Sequence, residues 1–232
     1  MDPQQVYPDQ SGRPYKKWFF VLLVLMVIVI GTGVYLLIQV RQNVETISSG
    51  NGDSAVAPSG EVATTDDPFA GNPDASIVIV EFSDFQCPFC FQSFPIVREI
   101  INTYGDDIKF IYRDFPIDEI HPQAQKAAEA GECAQEQGKF WEMHDKMFIN
   151  QNDLFVPSLK RYAAEIGLDV STFSQCLDNG DFAAEVKQDF NDGLFAGVDG
   201  TPTFFINGRK FDGVVSVEVF SSTIEQLILL GS

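Results

Sequence analysis

The chain has 232 residues, 45% of them apolar, enough for one packed domain or two small ones and too apolar for a wholly disordered or fibrous polymer. Its net charge of −18 is unevenly spread. Residues 1–60 hold four basic and four acidic side chains, so the remainder carries 11 basic and 29 acidic ones. A surface of that sign repels phosphate backbones and argues against nucleic-acid binding.

The first element is membranous. From Trp18 to Ile38 there are 21 residues without a charge, a length that spans roughly 30 Å as a helix and matches a hydrocarbon core. The run is longer than the apolar region of a cleaved signal peptide, and the small-x-small triplet Ala55-Val56-Ala57 lies well beyond it, so an uncleaved anchor over 18–40 is expected. Trp18 and Tyr35 suit interfacial positions. Arg13, Lys16 and Lys17 precede the span and only Arg41 follows it closely. The positive-inside bias then makes residues 1–17 a cytoplasmic tail and places the rest outside the membrane, periplasmic or on the cell-surface side, where disulfides persist. Residues 41–69, rich in Ser, Gly, Asp, Thr and Pro, read as a flexible linker.

Residues 70–232 read as one domain. The β-branched run Ile77-Val78-Ile79-Val80, bounded by Asn72-Pro73-Asp74, predicts a buried strand over 76–83. A helix is expected from about 88 to 104, with Phe91, Phe94, Val97, Ile100, Ile101 and Tyr104 on one face and Pro95 kinking it. There follow a strand over 108–113, several helices within an insert at about 121–196 that begins at His121-Pro122, a strand over 203–207, a hairpin return near 210–215 and a helix over 217–230. Phe220, Ile224, Leu227 and Ile228 give that last helix a face to lay on the sheet. The class is α/β.

Four cysteines carry the chemistry. Cys87-Pro88-Phe89-Cys90 is a CxxC that follows a strand directly and opens a helix. Half a zinc site and a structural disulfide are the competing readings, but structural zinc usually needs a second closely spaced pair, whereas Cys133 and Cys176 are single and far apart. The context favours a redox-active dithiol. Free N–H groups and the positive dipole end of the helix stabilise a thiolate at Cys87, and Cys90, one turn inward, is placed to resolve mixed disulfides by intramolecular attack. His121 and His144, the only histidines, read as packed side chains rather than ligands. Phe140, Trp141 and Met147 read as core of the insert, and Asp84, nearer the loop, as solvated. No phosphate loop, GxSxG or HExxH occurs, and neither metal nor cofactor is called for.

EFSDFQCPFC, with GTPTFFING far downstream, resembles the DsbA-like thiol:disulfide oxidoreductases over essentially all of 70–232. The resemblance implies a thioredoxin-like fold with a helical insertion. It also implies a cis Thr201–Pro202 bond facing the dithiol, with Thr201, Pro202, Pro88 and Phe89 lining a substrate groove. It gives Glu81, an ionisable side chain within an apolar strand, a role in proton transfer for Cys90; a Glu81 that points to solvent from the strand end is the alternative. Cys133 and Cys176 resemble a second pair that some relatives bridge; two free buried thiols are the alternative. Phe89 stands where some members carry histidine, which implies an intermediate potential. The function so implied is a tethered enzyme introducing disulfides into exported proteins with free thiols, reoxidised by a membrane partner of the DsbB or VKOR-like type. A reductase or isomerase of the same fold, or a non-catalytic binding module, is the alternative.

Overall fold

The β-branched run at 77–80 forms the middle of a five-stranded sheet. In the computed structural model, residues 25, 26, 32, 62 and 67–231 are described. The chain divides into two units, Met1–Asp53 and Ser54–Ser232, and the sheet belongs to the second. The expected tail (1–17) and nearly all of the expected anchor (18–40) lie outside the described residues, as does most of the linker (41–69). Among the described residues no helix is long and apolar enough to cross a membrane.

In chain order the elements are β1 (Phe69–Gly71), β2 (Ile77–Ser83), α1 (Pro88–Tyr104), β3 (Ile108–Asp114), α2 (Ala124–Gln135), α3 (Phe140–Ile149), α4 (Val156–Glu165), α5 (Val170–Asn179), α6 (Ala183–Phe195), β4 (Thr203–Ile206), β5 (Arg209–Asp212) and α7 (Val217–Leu230). The sheet order is β1-β3-β2-β4-β5. Only β2 and β3 run parallel, joined through α1; the other pairs are antiparallel. Alternation along β2 separates the two faces. Ile77 and Ile79 pack with Val97 and Ile100 of α1 and with Phe220 and Ile224 of α7. Val80 and Phe82 pack on the other face with Phe205, Phe115 and Phe190 of α6. Gly193 allows α6 that approach, because a Cβ there would meet the Phe115 ring at 2.6 Å.

The insert packs around a third core built on Phe140, Met143, Met147, Phe148, Leu159 and Phe173, which also takes in Phe85, Cys87 and Cys90. The cysteine pair is therefore roofed by the insert. Cys133 in α2 and Cys176 in α5 form a disulfide with a Cα–Cα distance of 6.0 Å. It closes a separation of 43 residues, which in the chain-entropy picture stabilises by about 2–4 kcal/mol. Replacing both by Ala should lower the denaturant midpoint accordingly, without changing exchange at Cys87; an unchanged midpoint would show that this bridge constrains nothing.

Three features differ from the reading of the sequence. The fold begins before residue 70: Val62 is buried among Phe82 and Ile111, and Asp67 pairs with the buried Arg113 guanidinium at 3.3 Å. Arg113 also binds Asp189 and, at 2.9 Å, Asp192, so this part of the expected linker is fastened to β3 and α6 by charge. Strand β1, three residues long, has no counterpart among the expected elements. Phe91 does not join the buried face of α1 but is 45% exposed next to Cys90 in the sequence.

Candidate active site

Cys87 is the N-cap of α1 in an extended conformation, and Pro88 takes the first helical position, where its missing N–H costs nothing. The turn presents Pro88 and Phe89 to solvent, with Phe89 56% exposed, and turns Cys90 inward, where it is fully buried. Both cysteines are free thiols. Across from them, the Thr201–Pro202 peptide is cis, Pro202 is buried at the start of β4, and the Cys87 S–H donates to the Thr201 carbonyl at 3.3 Å. Residues separated by more than a hundred positions thus meet at one sulfur.

The two thiols are driven apart electrostatically. Cys87 is pulled down to about 5, chiefly because the Cys90 thiol hydrogen-bonds its thiolate; burial opposes this, and the Thr201 side chain and the N–H groups of Cys90 and Phe89 assist. The helix N-terminus therefore contributes as the sequence suggested, but less than the neighbouring thiol does. Cys90 moves the other way: burial first, then its bond and charge interaction with Cys87 and the charge of Glu81, hold it well above the usual thiol range. A thiolate beside a protonated thiol is the reduced state of a nucleophile with its resolving partner. Thiolate absorbance or alkylation should titrate near pH 5; a midpoint above pH 8 would remove the electrostatic basis of this site.

Glu81 projects from β2 on the dithiol side, 3% exposed, and accepts a hydrogen bond from Ser83 Oγ at 2.9 Å. Burial raises it to about 8, against that hydrogen bond, so it holds a proton at neutral pH, and its charge is felt at Cys90. Asp84, expected in solvent, is instead 2% exposed. The reading from the sequence missed it because both partners of its Oδ2 lie 33 and 37 positions further on, at Ile117 and His121. His144 is packed among Phe85, Tyr112, Phe140 and Phe148, and burial lowers its pKa. Among the described residues no group of three or more His, Cys, Asp or Glu side chains is arranged to hold a metal ion.

A thioredoxin-like sheet carries a helical insertion between β3 and β4 and, at a helix start, a dithiol facing a cis-proline, the arrangement that the resemblance to the DsbA-like oxidoreductases implied. The chain belongs to the thioredoxin family, whose model matches residues 63–226. It is similar in structure to the thiol-disulfide exchange protein alpha-DsbA2 of Wolbachia pipientis, with a TM-score of 0.64 and 25% identity over 72% of this chain and 90% of that one. It is likewise similar to BdbD of Bacillus subtilis, with a TM-score of 0.65 and 25% identity over 71% of this chain and 94% of that one. In sequence it is 40% identical over 154 residues to the Na(+)/H(+) antiporter NhaA 3 of Salinispora tropica, a match covering 66% of this chain and 24% of the antiporter. This chain thus spans about a quarter of the length of the curated relatives it matches.

Proposed function

We propose that the chain is a membrane-tethered, extracytoplasmic dithiol oxidase that introduces disulfides into exported proteins. The observation that carries this reading is the split between Cys87, held near 5, and buried Cys90, held high. A stabilised thiolate favours the reduced enzyme over its disulfide, and so favours oxidation of others. A substrate thiolate attacks Cys87 Sγ of the Cys87–Cys90 disulfide, Cys90 departs with the electron pair, and the substrate's second thiolate then displaces Cys87. The substrate leaves with a disulfide and the enzyme leaves as a dithiol. Exposed Phe89, Phe91 and Pro88 offer an apolar surface for an extended thiol-bearing segment next to the buried Thr201–Pro202 peptide.

The tether rests on the uncharged run Trp18–Ile38 and the basic residues before it. The compartment rests on that orientation and on the Cys133–Cys176 disulfide. Continued turnover then requires a reoxidant, for which a membrane partner of the DsbB or VKOR-like type is the fitting class. Ion antiport, named for the matched relatives, is not carried over, because the match covers only 24% of their length.

Equilibration of the full-length chain with glutathione buffers tests the direction. A potential well above about −200 mV supports the oxidase, whereas one near the roughly −270 mV typical of thioredoxin would assign the chain to reduction instead.

A further inference from the structure

The Asp84 side chain has no thiol chemistry of its own, yet its backbone touches both cysteines. Its N–H donates to Cys90 Sγ at 3.5 Å, and its carbonyl accepts the Cys87 N–H at 3.0 Å. The carboxylate fixes that backbone. Oδ1 accepts from the Gln86 N–H at 2.7 Å; Oδ2 accepts from the Ile117 N–H at 2.9 Å and meets His121 Nδ1 at 2.7 Å. Ile117 and His121 lie between β3 and α2, where the insertion begins. A buried carboxylate is costly unless its oxygens are hydrogen-bonded, so these donors determine where the Asp84 backbone sits. The Oδ2–Nδ1 contact is a hydrogen bond to the carboxylate in the tautomer that carries its hydrogen on Nδ1.

We propose that Asp84 and His121 are a positioning pair that holds the Asp84 N–H on the Cys90 sulfur and so sets how readily Cys90 leaves and returns, an inference that rests on the dithiol-exchange reading above. In exchange, a thiolate attacks Cys87 Sγ. A new S–S bond forms, the Cys87–Cys90 bond breaks, and the electron pair departs on Cys90 Sγ, toward which the Asp84 N–H points. In the reverse step the same N–H favours the Cys90 thiolate that attacks the mixed disulfide. Without His121, Oδ2 keeps only the Ile117 N–H, and the short buried carboxylate gains by turning toward water and drawing the 84–87 turn with it.

The test follows reaction of the full-length oxidised chain with reduced glutathione, acid-quenched and resolved by mass, for His121→Leu, His121→Asn and Asp84→Asn, with thermal melts alongside. Loss of one hydrogen bond to a charged group predicts that His121→Leu slows Cys90 release, and lengthens the life of the glutathione mixed disulfide, by about tenfold. His121→Asn, whose amide can reach the same oxygen, should recover most of the rate, and Asp84→Asn should be slow. A folded His121→Leu protein exchanging at the parent rate overturns the proposal, as does a folded His121→Asn protein as slow as the Leu variant. If His121→Leu does not fold, Asp84→Asn decides, and a parent rate there overturns the proposal. A thioredoxin-like potential combined with the predicted rate changes would sink the oxidase reading and support this pair, because the rates report the exchange step and not its physiological direction.

Discussion

Cys90→Ser is expected to accumulate covalent complexes through Cys87, while Cys87→Ser abolishes exchange. The asymmetry follows from the geometry. Cys87 is the thiol held as thiolate at about 5, at the N-cap of the helix and, at 4% exposed, slightly nearer the surface than Cys90 at 1%, so it makes the first bond. Cys90, buried and one turn inward, cannot meet a protein substrate but can reach the Cys87 sulfur. Removing it forces resolution by external thiols and forgoes an intramolecular attack, so release of a mixed disulfide should slow by roughly 10³-fold or more at millimolar thiol. Non-reducing gels of cells expressing the full-length chain would show discrete adducts for Cys90→Ser and none for Cys87→Ser. Adducts through Cys133 or Cys176, or parent turnover by Cys87→Ser, would overturn the assignment of roles. The lowered pKa also has a signature in stability. Cys87 lies below its unfolded value, so its contribution to the reduced fold is present above about pH 9 and is lost as pH falls toward 5. Cys87→Ser should therefore destabilise the reduced protein more at pH 8 than at pH 5.

Where information was local, the residues themselves spoke plainly. Helix α1 over 88–104 and α7 over 217–230 followed from apolar spacing, and β2 from its β-branched run, because each signal lies within one element. The dithiol was legible for the same reason: strand, CxxC and helix are contiguous. Three residues of Phe-Ala-Gly carry no strand periodicity, however, and β1 exists because β3 supplies its hydrogen bonds. The place of Asp67 depends on Arg113, 46 positions later, and the burial of Asp84 depends on Ile117 and His121. Charged side chains in these segments look solvated until their partners are placed. The lowered Cys87 pKa was expected from the helix terminus alone, yet its largest cause is the Cys90 thiol, a contact set by side-chain geometry inside the turn.

Glu81→Gln should stabilise the protein and slow it. Burial raises Glu81 from 4.5 to about 8, and Ser83 Oγ is the donor that partly offsets this. In the unfolded chain Glu81 ionises near its ordinary value, while in the fold it retains its proton up to about 8. Its contribution is thus complete below about pH 4.5 and is eroded progressively as pH rises toward 8. Gln has nearly the same shape and nothing to ionise, so the variant should match the parent at pH 4 and gain with rising pH, by roughly 2–4 kcal/mol at pH 8. Melts across pH 4–8 measure this directly, and a gain independent of pH would show that the buried carboxyl is not held protonated. Function should move in the opposite sense. Cys90 must take up a proton when it departs as thiolate and lose it when it attacks, and Glu81 is the buried carboxyl whose charge acts on it. Glutathione exchange by Glu81→Gln should fall by roughly 10²-fold at pH 7, the lower end for a general acid–base group, with the inflection near pH 8 absent from its rate profile. An unaltered profile would leave proton transfer to water and assign Glu81 no part in it.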